Sequence, residues 1–529
     1  GLVADQAVDL HGVAGGFAAA AGVGVGVGVA VVNVNSGVAA YIARGTEVTG
    51  DGSAGSALTL DARYDADMSV LGIAGSLGGA VALAASASVI TDVTRVDALI
   101  GDRPDWIPDV EGDWGAARIG GFATVSSEAD GQVTYNLANG AASLGTVSAG
   151  VGVLVADVDV AVTSAVGDDA QIGTGDASDR IGDLTLKADR DVEIRPYGGD
   201  DEDVMVLGFA GGALGGAAGY GSSVIRGDVR AEIGDDARIE ATGDVELDAL
   251  STGTARMVLG QIAISGVSAA LMFGKAEARG TARVGIGARS VIRASTLDME
   301  ADNDAKAILR GLSVSASLAA SVAIHDIKVI SDAGSAAEIG EDADIETQGD
   351  IRVIAGATRT ADISLDSYAV SVGGVVTVPT VAVEIAGAST AAIGKNARLV
   401  SLDGDVTVRS AITSDAKAYA IDDGGSLADI SVTNGIGSVD DTATTTIGEG
   451  AVLEARETLT VESRSDATAD IRPESDTKGL VAVGNTEAEL TYDNTTRTKI
   501  EADTILRGRT AEVLARVTSL DLTVSPYTR

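Results

Sequence analysis

The sequence predicts an all-β chain: an elongated β-solenoid, or parallel β-helix, built from about nine repeats of roughly 54 residues. Three observations carry this reading: a composition suited to a thin core, apolar residues that alternate with period two, and a motif that returns at a fixed spacing. Gly, Ala and Val dominate the 529 residues, aromatics make up 3%, and there are six prolines. A globular domain of this length fills its centre with large side chains, whereas small and β-branched residues fill a core that never grows wide.

Alternation is plainest in "GVGVGVGVAVVNVNSG", Gly22 to Gly37, where valines fall at 23, 25, 27 and 29. That period puts them on one face of a strand. Hydropathy alone marks Gly12 to Val32 as a membrane span, since the 21 residues carry no charge and about 20 suffice to cross a bilayer as a helix. Uncharged tracts recur at Met68 to Thr91 and Val204 to Ile225, none of them Leu-rich. Period two favours strands, so no membrane span is expected. In "YAVSVGGVVTVPTVAVEI", from Tyr368, the parity of the apolar residues changes at Gly373-Gly374 and at Pro379-Thr380. Both positions read as strand ends.

The repeat is clearest in "AEIGDDARIEATGDVELDA" from Ala231, "AEIGEDADIETQGDIRVIA" from Ala337 and "AAIGKNARLVSLDGDVTVRSA" from Ala391. The residue before its glycine falls at 172, 233, 284, 339, 393 and 447, with spacings of 61, 51, 55, 54 and 54. Gly-Asp pairs such as Gly243-Asp244, Gly349-Asp350 and Gly404-Asp405 suit tight turns, in which Gly takes positive φ and Asp bonds its own backbone. A unit unable to bury its own apolar face stacks on its neighbours. Residues 1–529 therefore read as one continuous solenoid, cored by ladders of Val, Ile and Ala. With strands of about five residues and two or three coils per unit, the rod would be roughly 90–140 Å long.

One stretch departs from the repeat. Residues 102–118 read as an inserted loop carrying both tryptophans, Trp106 and Trp114, between two Ile-Gly pairs at Ile100 and Ile119. Insertions in solenoids project from one face, often a binding face, and an exposed Trp stacks on a sugar ring or anchors a partner. Folding back over the solenoid side is the structural alternative.

A net charge of −40 opposes nucleic acid binding, which needs clustered Lys and Arg. There is no cysteine, hence neither a disulfide framework nor a thiolate metal site. The run Asp200, Asp201, Glu202, Asp203 offers oxygen ligands for calcium, although the spacing is not that of an EF-hand. Of the two histidines, His325 lies in strand-like "SVAIHDIKV", which points to a structural role. No G-x-S-x-G elbow or phosphate-binding glycine loop is present. Arg226-Gly227-Asp228 and Asn494-Thr495-Thr496 match short adhesive and glycan-acceptor patterns, and the first reads as accidental. With Gly1 at its start and no capping repeat at either end, the chain reads as a mature product or a segment of something larger.

The strand pair "GVAVVNVNSGVAAYIARGTEV" from Gly28, with the Ile-Gly and Gly-Asp-Val motifs from Ala391, resembles the repeats of large bacterial leukotoxin-like filamentous adhesins. The resemblance implies a secreted or cell-surface β-helical stalk or fibre, but no catalytic or secretion domain. The expected function is thus a non-catalytic structural segment of an extracellular bacterial fibre, adhesin stalk or surface layer. It would self-associate end to end and contact a glycan or cell-surface ligand, with no cofactor except calcium as an option. The rival readings are a polysaccharide-active β-helix enzyme and a calcium-dependent surface binding module.

Overall fold

Period-two alternation sustained over forty residues builds strands far longer than five residues. The computed structural model describes residues 1–102, 106, 116–175, 178–197 and 205–529, and none of these is helical. Strands pair in parallel from coil to coil: Leu297 lies beside Ile351, and Ile351 beside Val406. One repeat therefore carries the chain once around. The expected two or three coils per unit give way to one, and with them the long rod.

The sixth coil, residues 297–347, shows the plan. Its chain runs out from Leu297 to Ser317, turns at Leu318 and Ala319, and returns from Ala320 to Ile339. The short strand Asp344–Thr347 then leads to the next coil. The other coils are residues 2–49, 57–120, 124–172, 183–240, 245–294, 351–401, 406–454 and 458–507, with part of a further coil at 510–528. Stacking makes two broad layers that face each other. They join at the tip turns, and at the opposite edge, the base, a nine-stranded ladder of short strands separates them. At about 3.3 Å per residue and 4.8 Å per coil, the product is a blade about 65 Å from base to tip and about 45 Å tall.

The base turns repeat a left-handed residue in almost every coil: Asp169, Asp236, Arg289, Asp342, Asn396, Gly450 and Asp503 all have φ between 55° and 70°. Positive φ thus sits in the Ile-Gly turn, two residues after the glycine, rather than at the Gly-Asp pairs. There the aspartates bond the next coil and not their own backbone. Asp183 Oδ1 accepts from Asp244 N at 3.0 Å, and Asp350 Oδ1 from Asp405 N at 2.8 Å. A Cβ on Gly243 would strike Asp183, so that glycine provides clearance for stacking.

Side-chain polarity inverts halfway along each layer. Near the base, apolar residues point inward: Leu247, Ala249, Ala255, Met257 and Leu259 in the fifth coil are all buried. Toward the tip the inward positions become Ala263, Ser265, Ser268 and Ala270, while Ile264, Val267 and Phe273 face out. The layers approach too closely there for larger groups, since a Cβ on Gly26 would collide with Gly75 O and one on Gly150 with Phe209 O. The valines of the glycine-valine run accordingly face solvent, with Val27 55% exposed, and Gly24, Gly26 and Gly28 face in. Val, Ile and Ala ladders form the core of the base half, and small residues, Ala ladders among them, take over toward the tip.

Candidate functional site

A trough on the second layer brings together two of the sequence features singled out, Trp106 and Arg226-Gly227-Asp228. In the third coil the outward positions Ala161, Thr163 and Ala165 are small. They lie between Arg95, Asp97 and Leu99 of the coil before and Asp228, Arg230 and Glu232 of the coil after. The resulting groove holds about 610 Å³. Trp106 forms one wall, its ring against Gly37 and its Nε1 donating to Asp97 Oδ2 at 2.7 Å. It keeps 39% of its surface exposed. Part of the inserted segment therefore folds back on the solenoid and still presents an aromatic face. Trp114 and the candidate calcium ligands Asp200, Asp201, Glu202 and Asp203 lie outside the described residues. Among the described residues no group of three or more His, Asp or Glu side chains is placed to hold a metal ion.

Arg226-Gly227-Asp228 lies on the far wall of the same groove. Gly227 has φ 129° and interrupts the strand between Arg226 and Val229. Its carbonyl turns inward, where Arg190 Nη1 donates to it at 2.5 Å and Nη2 donates to Ser251 Oγ at 2.8 Å. Burial pushes the Arg190 guanidinium down to about 10, against the attraction of Asp228 and Asp159. It still carries its charge at neutral pH. A core cation thus braces the turn that presents Asp228 to the groove.

The same seam continues up the interior. Asn303 Nδ2 donates to Gly280 O at 2.8 Å and Gly334 O at 2.9 Å. Above it, the fully buried Arg359 pairs with Asp441 and donates to Ser414 Oγ at 3.1 Å. Such pairs satisfy backbone and charge that the interior would otherwise strand. Composition hid them, but their parity was readable. Arg190 occupies the inward phase of Leu184, Leu186, Ala188, Val192 and Ile194, and Arg359 that of Val353, Ala355, Ala361 and Ile363.

His325 Nε2 lies 3.3 Å from Ser367 Oγ, and burial holds its imidazole down to about 4. Ser367 also bonds Asp422, whose carboxyl burial pushes upward against bonds from Ser431 and Thr377. The serine stands between imidazole and acid, so the acid does not orient the base as a nucleophile triad requires. All three side chains are buried, with 1% of His325 exposed. The arrangement is a core network, in keeping with the structural role read for His325.

Comparison of the chain with protein-family models, with curated proteins and with solved structures gives no match.

Proposed function

We propose that this chain is a non-catalytic structural segment of an extracellular bacterial fibre, adhesin stalk or surface layer, extended by adding coils or copies along the solenoid axis. The observation that carries the reading is a parallel register repeated from coil to coil through nine coils. Among the described residues, Leu2–Ala20 and Val23–Ile42 pair only with the second coil, and Val481–Ile500 pairs only with the coil beneath it. Unpaired edges of this length are templates for another strand, and nearest-neighbour stacking makes every added coil equivalent. The resemblance to filamentous adhesin repeats points the same way.

The Trp106 groove is the lateral contact in this reading, with an exposed ring beside Asp97, Asp228 and Arg230 to meet a glycan or another cell-surface ligand. Negative-stain imaging across a concentration series tests the assembly. Filaments lengthening in steps of about 45 Å, nine coils at 4.8 Å, are expected. Isolated blades at every concentration would contradict end-to-end growth.

A further inference from the structure

The inverted half of the blade has the surface chemistry of a lipid-facing protein. Outward columns there run unbroken through the register. On the second layer Val27, Ala85, Val151, Ala218, Leu271 and Ile324 stack coil upon coil. On the first layer Leu77, Leu144, Gly211, Ile264, Ala316 and Val370 do the same. The edge between the layers is equally bare of charge. All the tip turns, from Ala21-Gly22 to Gly479-Leu480, are uncharged, and Leu318 at one of them is 75% exposed. Base turns, by contrast, carry Asp168-Asp169, Asp235-Asp236 and Glu341-Asp342.

Depth and margin fit a lipid layer. Among the described residues of the first seven coils, the charged outward side chain nearest a tip turn is Asp366, before Val372. Six residues of strand span about 20 Å, more than the hydrocarbon of one leaflet, which is half of about 30 Å. At the margin of the fifth and sixth coils the first charges on the first layer are Arg256 and Arg310, and on the second layer Lys275 follows Phe273 in the fifth coil while Asp326 lies beside Phe273 in the sixth. The acids paired with Lys275 and Arg310, Glu277 and Asp362, lie on the base side. Charges of both signs and an aromatic ring at the rim lie at the depth of zwitterionic headgroups. Parallel pairing on both sides also satisfies the backbone of coils two to seven, as hydrocarbon demands.

We infer that the tip half of coils two to seven inserts edge-first into one leaflet of a lipid layer, its outward Val, Leu and Ile columns in the acyl chains and its charged rim among the headgroups. A second copy docked face to face would cover one layer and leave the other layer and the edge in water. Only a medium that closes around both faces and the edge buries the whole belt. The eighth and ninth coils mark its end, since Asp423 and Lys478 pair at 2.9 Å beside their tips. The inference goes beyond end-to-end stacking and does not depend on it.

The chain lacks cysteine, so one introduced thiol reports one place. Leu271→Cys and Glu246→Cys, each carrying an environment-sensitive fluorophore, are mixed with phosphatidylcholine vesicles and floated through a density gradient. Both proteins are expected to float. The label at 271 should shift to the blue and be quenched by acyl-chain spin labels, while that at 246 does neither. Leu271→Glu together with Val151→Glu should keep the β-sheet circular dichroism and thermal midpoint yet reduce flotation at least tenfold. Failure of the labelled proteins to float would overturn the inference. So would a blue shift at 271 without vesicles in a particle of doubled mass, which would assign the belt to a second copy. Absence of filaments under the same conditions bears on stacking alone.

Discussion

At the scale of single residues, the structure separates two uses of small side chains that look alike in the sequence. Gly150 and Val151 are neighbours in one strand. Gly150 faces Phe209 O across the narrow interior, while Val151 points outward. Gly150→Ala is expected to cost about 1–3 kcal/mol by overpacking a gap that cannot widen, and Val151→Thr less than about 0.5 kcal/mol, as for other surface changes. Shifts in thermal midpoint measured side by side check the pair. Equal losses would mean that the layers are not in close contact there. Alternation identified these strands correctly because period two is a property of the backbone. It could not say which face was inside. At Pro379-Thr380 the parity change predicts a strand end, yet the strand Gly374–Ala386 continues through it. What changes there is the apolar face: Val376 and Val378 point out, and Val381 and Val383 point in.

At the scale of the element, the coil is the unit that stacks, and its length was legible from the Ile-Gly spacing at 339, 393 and 447, whereas Ile172 and Val284 fall out of that register, beside Ile239 and Ala231. The number of turns per repeat was not legible. A tip turn such as Ala319 or Gly266 is an uncharged small residue inside an uncharged tract, so no punctuation marks it. Base turns were visible because positive φ at Asp236 or Asn396 and the aspartate ladder at Asp350 and Asp405 call for particular residues. The Trp106 groove was only half legible: the insertion stood out, but its contact with Asp97 and the facing Arg226-Gly227-Asp228 needed the coil register. If each coil is an independent rung, removal of residues 245–296 should leave a folded, shorter blade. Leu184 would then meet Leu297, and Asn303 would stand beside Arg190 where Ser251 does now. Circular dichroism with the full β-sheet signal per residue is the expected outcome. An unfolded product would show that the coils are not interchangeable.

At the scale of the whole molecule, pH dependence follows from groups the stacking forces together. Burial first, and then Glu246, Glu300 and Asp298, raise Asp248 to about 7. Between its ordinary value and about 7 the folded form holds a proton that the unfolded form has released, so stability falls as pH rises through that window. His325 acts in the opposite sense. Buried and held near 4, it refuses a proton that the unfolded chain accepts below its usual 6.5, so stability falls as pH drops below that point. The thermal midpoint should therefore rise from pH 8 to 6.5 in the parent and stay level over that range in Asp248→Asn. A slope unchanged by the substitution would contradict the assignment.

The polarity inversion underlies the blade's shape, its bare outer belt and the lipid contact inferred from it. It is tested most directly by thiol reactivity along one strand of the lipid-free chain in dilute solution. Single cysteines at Val376, Val378, Val381 and Val383 are exposed to a water-soluble maleimide. Fast labelling at 376 and 378 with protection at 381 and 383 is the predicted pattern. Protection at 376 and 378 matching that at 381 and 383, or the reverse order, would contradict it.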